Sequence, residues 1–181
     1  PIEISPLTKK KPGHPEQVSK LQRSVVNLLP NHNFESDGSW STVAYGGVGT
    51  FGYATDQKYL GTRSMKVNKT NSDGNMCVKM DYGNLSIGKT YTLSGYIRST
   101  GNVYTYATAS FGNKWYDGEK VTPGGEWTRI FTTFTASAVN ATLYFITMGG
   151  PGTMWIDCAQ LEEGAVPNRY NLLQNCDFSQ N

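Results

Sequence analysis

A hydrophobic repeat of period two recurs along the chain and restricts the fold more than any other feature of the sequence. Its clearest example is 91–98, where one side holds Leu93, Gly95 and Ile97 and the other holds Ser94, Tyr96 and Arg98. The same period appears in 64–68, 76–80, 103–111, 127–135, 141–148 and 154–161. Alternate side chains of a strand point to opposite faces, so these segments predict about eight strands. No run of ten residues after residue 26 predicts a helix.

Clusters of Gly, Pro, Asn and Asp separate the predicted strands and are typical of turns. They occupy 72–75, 87–89, 116–118, 123–125 and 149–152. Charged residues make up 17% of the chain, against about 25% in an ordinary soluble domain, which disfavours a bundle of helices with charged faces. We therefore predict an all-β fold, a two-sheet antiparallel β-sandwich of the jelly-roll type.

The chain divides into three parts. Residues 1–26 hold four of the eight prolines and predict a linker, with or without a short helix over 16–24 that has Pro15 at its first position. Residues 27–170 hold the predicted sandwich. Residues 27–35 recur at 171–179 with five of the first eight positions identical. This repeat predicts that 171–181 begin a second, truncated copy in a tandem array.

Charge and hydropathy exclude two classes of partner. The net charge is +2, and the basic residues are scattered apart from Lys9 to Lys11, so we expect no nucleic-acid partner. No apolar run approaches the roughly 20 residues of a membrane span, so we expect no membrane partner either. Cys77, Cys158 and Cys176 lack metal-site spacing and are expected to be small buried hydrophobic residues.

Catalytic signals are weak. The chain has two histidines, His14 and His32, and no nucleophile, metalloprotease or phosphate-loop motif. Asp117 and Glu119 are close in sequence, but Asp117-Gly118 is typical of a solvated turn. We therefore expect a protein without enzymatic activity.

Five segments, taken in order, carry a family resemblance. They are 27–35, 59–67, 88–96, 126–136 and 155–162. Together they resemble the xylan- and glucan-binding jelly-roll modules that are appended to bacterial glycoside hydrolases and to large surface proteins. The resemblance implies a monomeric module in a multidomain bacterial protein that is secreted or held at the cell surface.

The same resemblance implies a structural calcium ion, which would tie the first strand to the last away from the sugar. Hard cations prefer oxygen ligands. Glu35 and Asp157 match the family's carboxylate ligands by motif. The other implied oxygen ligands come from Lys58, Gly61 and Asn33. The family often has a second Asp where this chain has Cys158.

Aromatic side chains mark the predicted sugar-binding face, because rings stack on the apolar side of a sugar and polar groups bind its hydroxyls. Tyr104 and Tyr106 share one side of a predicted strand. The other predicted contacts are Tyr96, Arg98, Tyr144 and the pair Trp115 and Tyr116 in a polar loop. The tyrosines could instead simply cover a sheet, and Trp115 could anchor its loop. Tyr45, Phe51 and Tyr53 could line one end of a groove or pack beneath it.

Two functions therefore compete. The leading hypothesis is a non-catalytic carbohydrate-binding module that recognises a polysaccharide by aromatic stacking. The alternative is a structural spacer or adhesion module in a tandem-repeat surface protein, with its aromatic residues buried against neighbouring modules.

Overall fold

The computed structural model describes residues 26–168, which form eight antiparallel strands and no helix. The strands are β1 (Ser41–Tyr45), β2 (Gly49–Ala54), β3 (Ser64–Lys69), β4 (Asn75–Tyr82), β5 (Thr90–Phe111), β6 (Lys114–Asp117), β7 (Thr128–Thr135) and β8 (Ala141–Glu163). None of the described residues belongs to a helix long and apolar enough to cross a membrane. The all-β prediction is confirmed.

Two strands, β5 and β8, are 22 and 23 residues long and run through both layers of a sandwich. In the first layer the order is β7, the first half of β5, the second half of β8, β3 and β2. In the second layer the order is β6, the second half of β5, the first half of β8, β4 and β1. Both strands pass between the layers at a corner formed by 99–103 and 149–152.

The core lies between the layers and is built from the inward half of each alternating pattern. Leu93 and Ile97 from the first layer and Leu143 and Phe145 from the second are all fully buried. The layers meet closely at Gly95, where a Cβ atom would lie 2.9 Å from the ring of Phe145. The absence of a side chain at this position is therefore what lets the two layers approach.

The segments predicted as separate strands at 91–98 and 103–111 form one strand, as do those at 141–148 and 154–161. The turn residues between them bend a continuous strand at the corner instead of ending it. Three short strands, β1, β2 and β6, were not predicted, because their Gly-rich or four- to six-residue patterns are too short to show a period.

The first family segment, 27–35, is not a regular strand. Leu28 N–H donates to the Leu161 carbonyl, and Ala159 N–H donates to that of His32, but a turn occupies 30–33. Cys77 and Cys158 are buried, as expected. The predicted linker and helix over 1–25 and the second copy from 171 lie outside the described residues.

Replacing Gly101 at the corner with alanine tests the close approach of the two long strands. Gly101 has a φ of +80°, and a Cβ atom there would lie 2.6 Å from the Pro151 carbonyl oxygen. Gly112 is the matched control, since its φ is +62° but nothing lies within 4 Å of a Cβ atom. We expect Gly101→Ala to lower the free energy of unfolding by about 1–3 kcal/mol more than Gly112→Ala. Urea unfolding measures both, and equal losses would refute the close approach.

Candidate functional site

The outer face of the second layer gathers four of the predicted aromatic contacts. Because Ala107 and Phe145 point into the core, their strand neighbours Tyr106 and Tyr144 point outward. Tyr104 lies two residues before Tyr106 on the same side of β5. We call this outward set the aromatic face; its rings are Tyr45, Tyr104, Tyr106, Trp115 and Tyr144.

A surface pocket of about 370 Å³ opens on the aromatic face. Strand register explains its floor, since Tyr106 is paired with Ile146, and Ile146 with Cys77. These three side chains are buried together in a small cluster of their own, separate from the main core. The pocket thus has an apolar floor supplied by three adjacent strands.

Two exposed rings stand above this floor. Trp115 is 47% exposed, and its ring centroid lies 5.2 Å from that of Tyr144 at a tilt of 37°. Tyr45, at the end of β1, is 53% exposed and also lines the pocket. Burial, followed by the charge and hydroxyl of Tyr45, raises the pKa of Tyr144, which keeps it a neutral hydrogen-bonding phenol at physiological pH. The rings thus offer apolar surfaces with hydroxyls at their edges.

Polar groups converge on the same pocket. Asn75 lines it, and the Oδ1 atom of this residue is buried and has no hydrogen-bond partner. Asp117 lies close enough to Tyr106 that its charge, after burial, helps raise the Tyr106 pKa to about 12. Lys120 Nζ sits 5.4 Å from the Tyr106 ring centroid. Because Asn75 Oδ1 and the Asp117 carboxylate are acceptors, they suit a ligand that brings hydroxyl donors.

The predicted pair Trp115 and Tyr116 is split by the fold. The segment is strand β6 and not a loop, so successive side chains point to opposite sides. Trp115 faces outward, whereas the Tyr116 ring lies inward, 5.9 Å from Phe111 and 6.1 Å from Phe134. The structure therefore does not bring Tyr116 to the aromatic face.

Tyr96 and Arg98 also lie apart from the aromatic face, because they precede the corner and point outward from the first layer. Tyr59 stacks on Tyr96 with ring centroids 3.9 Å apart and an interplanar angle of 11°. Arg129 lies over Tyr96, at 5.7 Å from its centroid. Ring-on-ring packing thus takes the surface that a sugar would need on Tyr96. Its predicted role, like that of Arg98, stays untested, and neither residue joins the other four.

The sequence leaves open whether Tyr45 lines a groove or packs beneath it, and it gives no signal that singles out Asn75. Both belong to the edge pair β1 and β4, in which Tyr45 is directly opposite Asn75. The alternation of Val43 and Tyr45 was the available signal, but it covers only five residues. Phe51 and Tyr53, left undecided with Tyr45, pack against the main core.

Comparison with known proteins agrees with this geometry. A sequence family described as a carbohydrate binding domain matches residues 26–153, more than two thirds of the chain. The chain belongs to this family. Comparison with curated protein sequences gives no match.

Solved structures share the fold of this carbohydrate-binding domain at low identity. A family 61 module in complex with β-1,4-galactotriose is 14% identical, with a TM-score of 0.59 over 77% of this chain and 99% of that one. A family 22 xylan-binding domain from Paenibacillus barcinonensis is 16% identical, with a TM-score of 0.59 over 75% and 94%.

A third similar structure is the enzymatically active domain of tailspike protein 4 of bacteriophage CBA120. It is 13% identical, with a TM-score of 0.60 over 77% of this chain. The carbohydrate-binding domain spans only 22% of that chain, so the likeness concerns one part of a larger protein.

The two carboxylates predicted to bind calcium both hold the loop 58–63. Asp157 Oδ2 accepts hydrogen bonds from the Tyr59 and Leu60 amides at 2.9 and 3.0 Å. Glu35 Oε1 accepts from the Thr62 and Arg63 amides at 2.8 and 3.1 Å. Four of the five amides from Tyr59 to Arg63, all but that of Gly61, therefore donate to two carboxylates.

The pKa values of the two carboxylates shift in opposite directions. Burial raises the pKa of Asp157, against the effect of its amide donors. Burial also acts to raise the pKa of Glu35, but the bonds from Thr62 and Arg63, with the charge of Arg63, outweigh it and leave that pKa lowered. Gly61 has a φ of +75°, and a Cβ atom there would lie 2.3 Å from Glu35 Oε1. Glycine is therefore required for this loop to close on Glu35.

This donor set does not fit the predicted calcium ion, because amide hydrogens and not carbonyl oxygens face the carboxylates. Within residues 26–168, no three His, Cys, Asp or Glu side chains are placed to hold a metal ion together. The amides already compensate both negative charges. The roles assigned to Asn33, Lys58 and Gly61 as ligands stay untested predictions.

We expect calcium to leave the stability of the domain unchanged. An ion that binds only the folded state stabilises it by RT ln(1 + c/Kd), where c is the ion concentration, so the melting temperature rises once c exceeds Kd. The measurement is thermal unfolding of the full chain in EDTA and in millimolar calcium chloride, with magnesium chloride as the control for ionic effects. A melting temperature several degrees higher in calcium alone would restore the calcium site.

Proposed function

We propose that this carbohydrate-binding domain binds the backbone of a neutral β-linked polysaccharide on the aromatic face, without catalysis. The observation that supports this most is the exposed Trp115 ring beside Tyr144, above a pocket whose buried Asn75 oxygen lacks a partner. An exposed indole that borders a pocket offers apolar surface for a sugar ring to cover.

The physical case rests on complementary surfaces. Pyranose rings expose C–H groups on one side, and these pack against the exposed rings of Trp115 and Tyr45. Their hydroxyls lie at the ring edge, where the Asn75 oxygen and the Asp117 carboxylate accept hydrogen bonds. Asp117 in the pocket lining and Lys120 over the Tyr106 ring supply one charge of each sign, and this balance favours neutral sugars over uronic acids.

Structural relatives support a β-linked ligand. The family 61 module was solved with a β-1,4-linked galactotriose, and the family 22 domain is described as xylan-binding. We carry over the ligand class and not the sugar. We further propose a monomeric, secreted or surface-held module of a larger bacterial protein, in line with the family resemblance.

Replacing Trp115 with alanine tests the site. Four soluble polysaccharides, namely xylan, mixed-linkage glucan, galactan and mannan, are titrated into the full chain, and calorimetry measures the affinity for each. We expect the affinity for the bound polysaccharide to fall about tenfold or more, or about 1.4 kcal/mol, because a central aromatic contact is lost.

Phe131→Ala is the matched control. Phe131 is also 47% exposed, but it lies on β7, on the outer side of the first layer. Its loss should leave affinity unchanged. Equal losses in both variants would refute the aromatic face as the site. If the folded wild-type chain gives no heat of binding with any of the four polysaccharides, the spacer or adhesion function would be favoured.

Tyr45→Phe and Tyr45→Ala separate the ring from its hydroxyl. If Tyr45 stacks on a sugar at the edge of the pocket, Tyr45→Phe should retain most of the affinity, and Tyr45→Ala should lose about three- to tenfold. The same titration measures both variants. An equal loss in the two variants would contradict stacking and assign the effect to the Tyr45 hydroxyl, which contacts Tyr144.

A reducing-end assay on the bound polysaccharide tests the absence of catalysis. We expect no new chain ends after prolonged incubation. Release that survives in Trp115→Ala but is abolished in Asp117→Asn would reveal a catalytic carboxylate instead.

A further inference from the structure

One lysine of this domain is buried where a hydrophobic residue would be expected. Lys69 ends β3, and its side chain points inward on the same side as Met65 and Val67. It is only 1% exposed. Lysine is almost never fully buried without a charged partner. The ion pairs of residues 26–168 do not include Lys69.

Four oxygen atoms surround the Lys69 ammonium. They are the carbonyl oxygen of Asn71, that of Asp73 at 2.9 Å, that of Gly149 at 3.0 Å and the side-chain Oδ1 of Asn71 at 3.2 Å. All four are formally neutral. An ammonium group has three hydrogens to donate, so four oxygens exceed its hydrogen-bonding capacity. The fourth oxygen is held by the positive charge, as in a cation site lined by carbonyl dipoles.

Each of these oxygens belongs to a segment that positions the sandwich. Gly149 is part of the corner where β8 changes layer. Asn71 Oδ1 also accepts a hydrogen bond from the Val48 amide at 2.8 Å, and Asn71 Nδ2 donates to the Gly46 carbonyl at 3.1 Å. The ammonium therefore joins the β3–β4 turn to the corner and, through Asn71, to the turn that follows Tyr45.

We propose that these four oxygens form an internal site for a monovalent cation, which Lys69 fills with its own ammonium group. The site accepts a free primary ammonium ion when the side chain is shortened. Neutral carbonyl oxygens suit a monovalent cation, whereas a divalent ion would demand carboxylates. The readout is stability, so the result does not depend on sugar binding.

The experiment compares Lys69→Ala with Lys69→Met by thermal unfolding of the full chain. Alanine keeps Cβ and removes atoms equivalent to n-propylammonium, so n-propylammonium chloride is the probe. Sodium chloride at equal ionic strength and n-propanol are the controls. We expect Lys69→Ala to lower the melting temperature by about 5–10 °C, since several buried oxygens lose their donor. n-Propylammonium should recover at least half of this loss.

The methionine side chain of Lys69→Met fills the space of the lysine methylene groups but carries no charge. This variant should therefore melt at a lower temperature than wild type, and n-propylammonium should not raise that temperature. Wild-type protein should not respond either. If Lys69→Ala fails to fold in buffer, the yield of soluble protein refolded with and without n-propylammonium gives the same comparison. A Lys69→Met variant as stable as wild type would overturn the proposal. Equal responses to n-propylammonium and n-propanol, or none in Lys69→Ala, would also overturn it.

Discussion

The pairing of β5 with β8 along nearly their whole length is the constraint on which the rest of this molecule depends. The pairing runs from Tyr91 opposite Glu163 to Ser110 opposite Thr142, with register shifts only at Ser94/Tyr96 and Gly101/Val103. Since both strands bend together, each supplies residues to both layers. One strand can therefore present Tyr96 on one outer surface and Tyr104 on the other. The corner, not the strand, decides which aromatic residues meet.

The bend in β5 and β8 explains which features of the fold could be predicted from the sequence and which could not. Alternation within 91–98 and 103–111 correctly gave the side of each strand that faces the core, because a period of two survives any bend. It could not show that the two segments belong to different layers, because the residues 99–102 look alike whether they end a strand or bend it. Residues 114–117 look like a polar loop in the sequence for a related reason: a four-residue strand is too short to show a period, so the alternation that separates Trp115 from Tyr116 appears only in the structure.

The loop 58–63 decides which surface stays open. The Asp157 and Glu35 carboxylates draw its amides toward the sheet, and this holds Tyr59 flat against Tyr96. The ring of Tyr96 on the outer side of the first layer is thereby covered by Tyr59. No comparable segment among the described residues packs over the Trp115 ring, which remains 47% exposed. The carboxylates of Asp157 and Glu35 thus remove Tyr96 from the rings that are open to a ligand, because they hold Tyr59 over it.

Polar groups also anchor one end of the aromatic face. Tyr45 is followed directly by Gly46, whose carbonyl accepts from Asn71, and Asn71 in turn accepts from the buried ammonium of Lys69. The Gly149 carbonyl accepts from the same ammonium, and a Cβ atom at Gly149 would lie 3.2 Å from the Tyr104 ring. Rings at two edges of the face are thus tied to one buried charge. A platform held in this way loses little conformational freedom when a ligand binds, so more of the stacking energy appears as affinity.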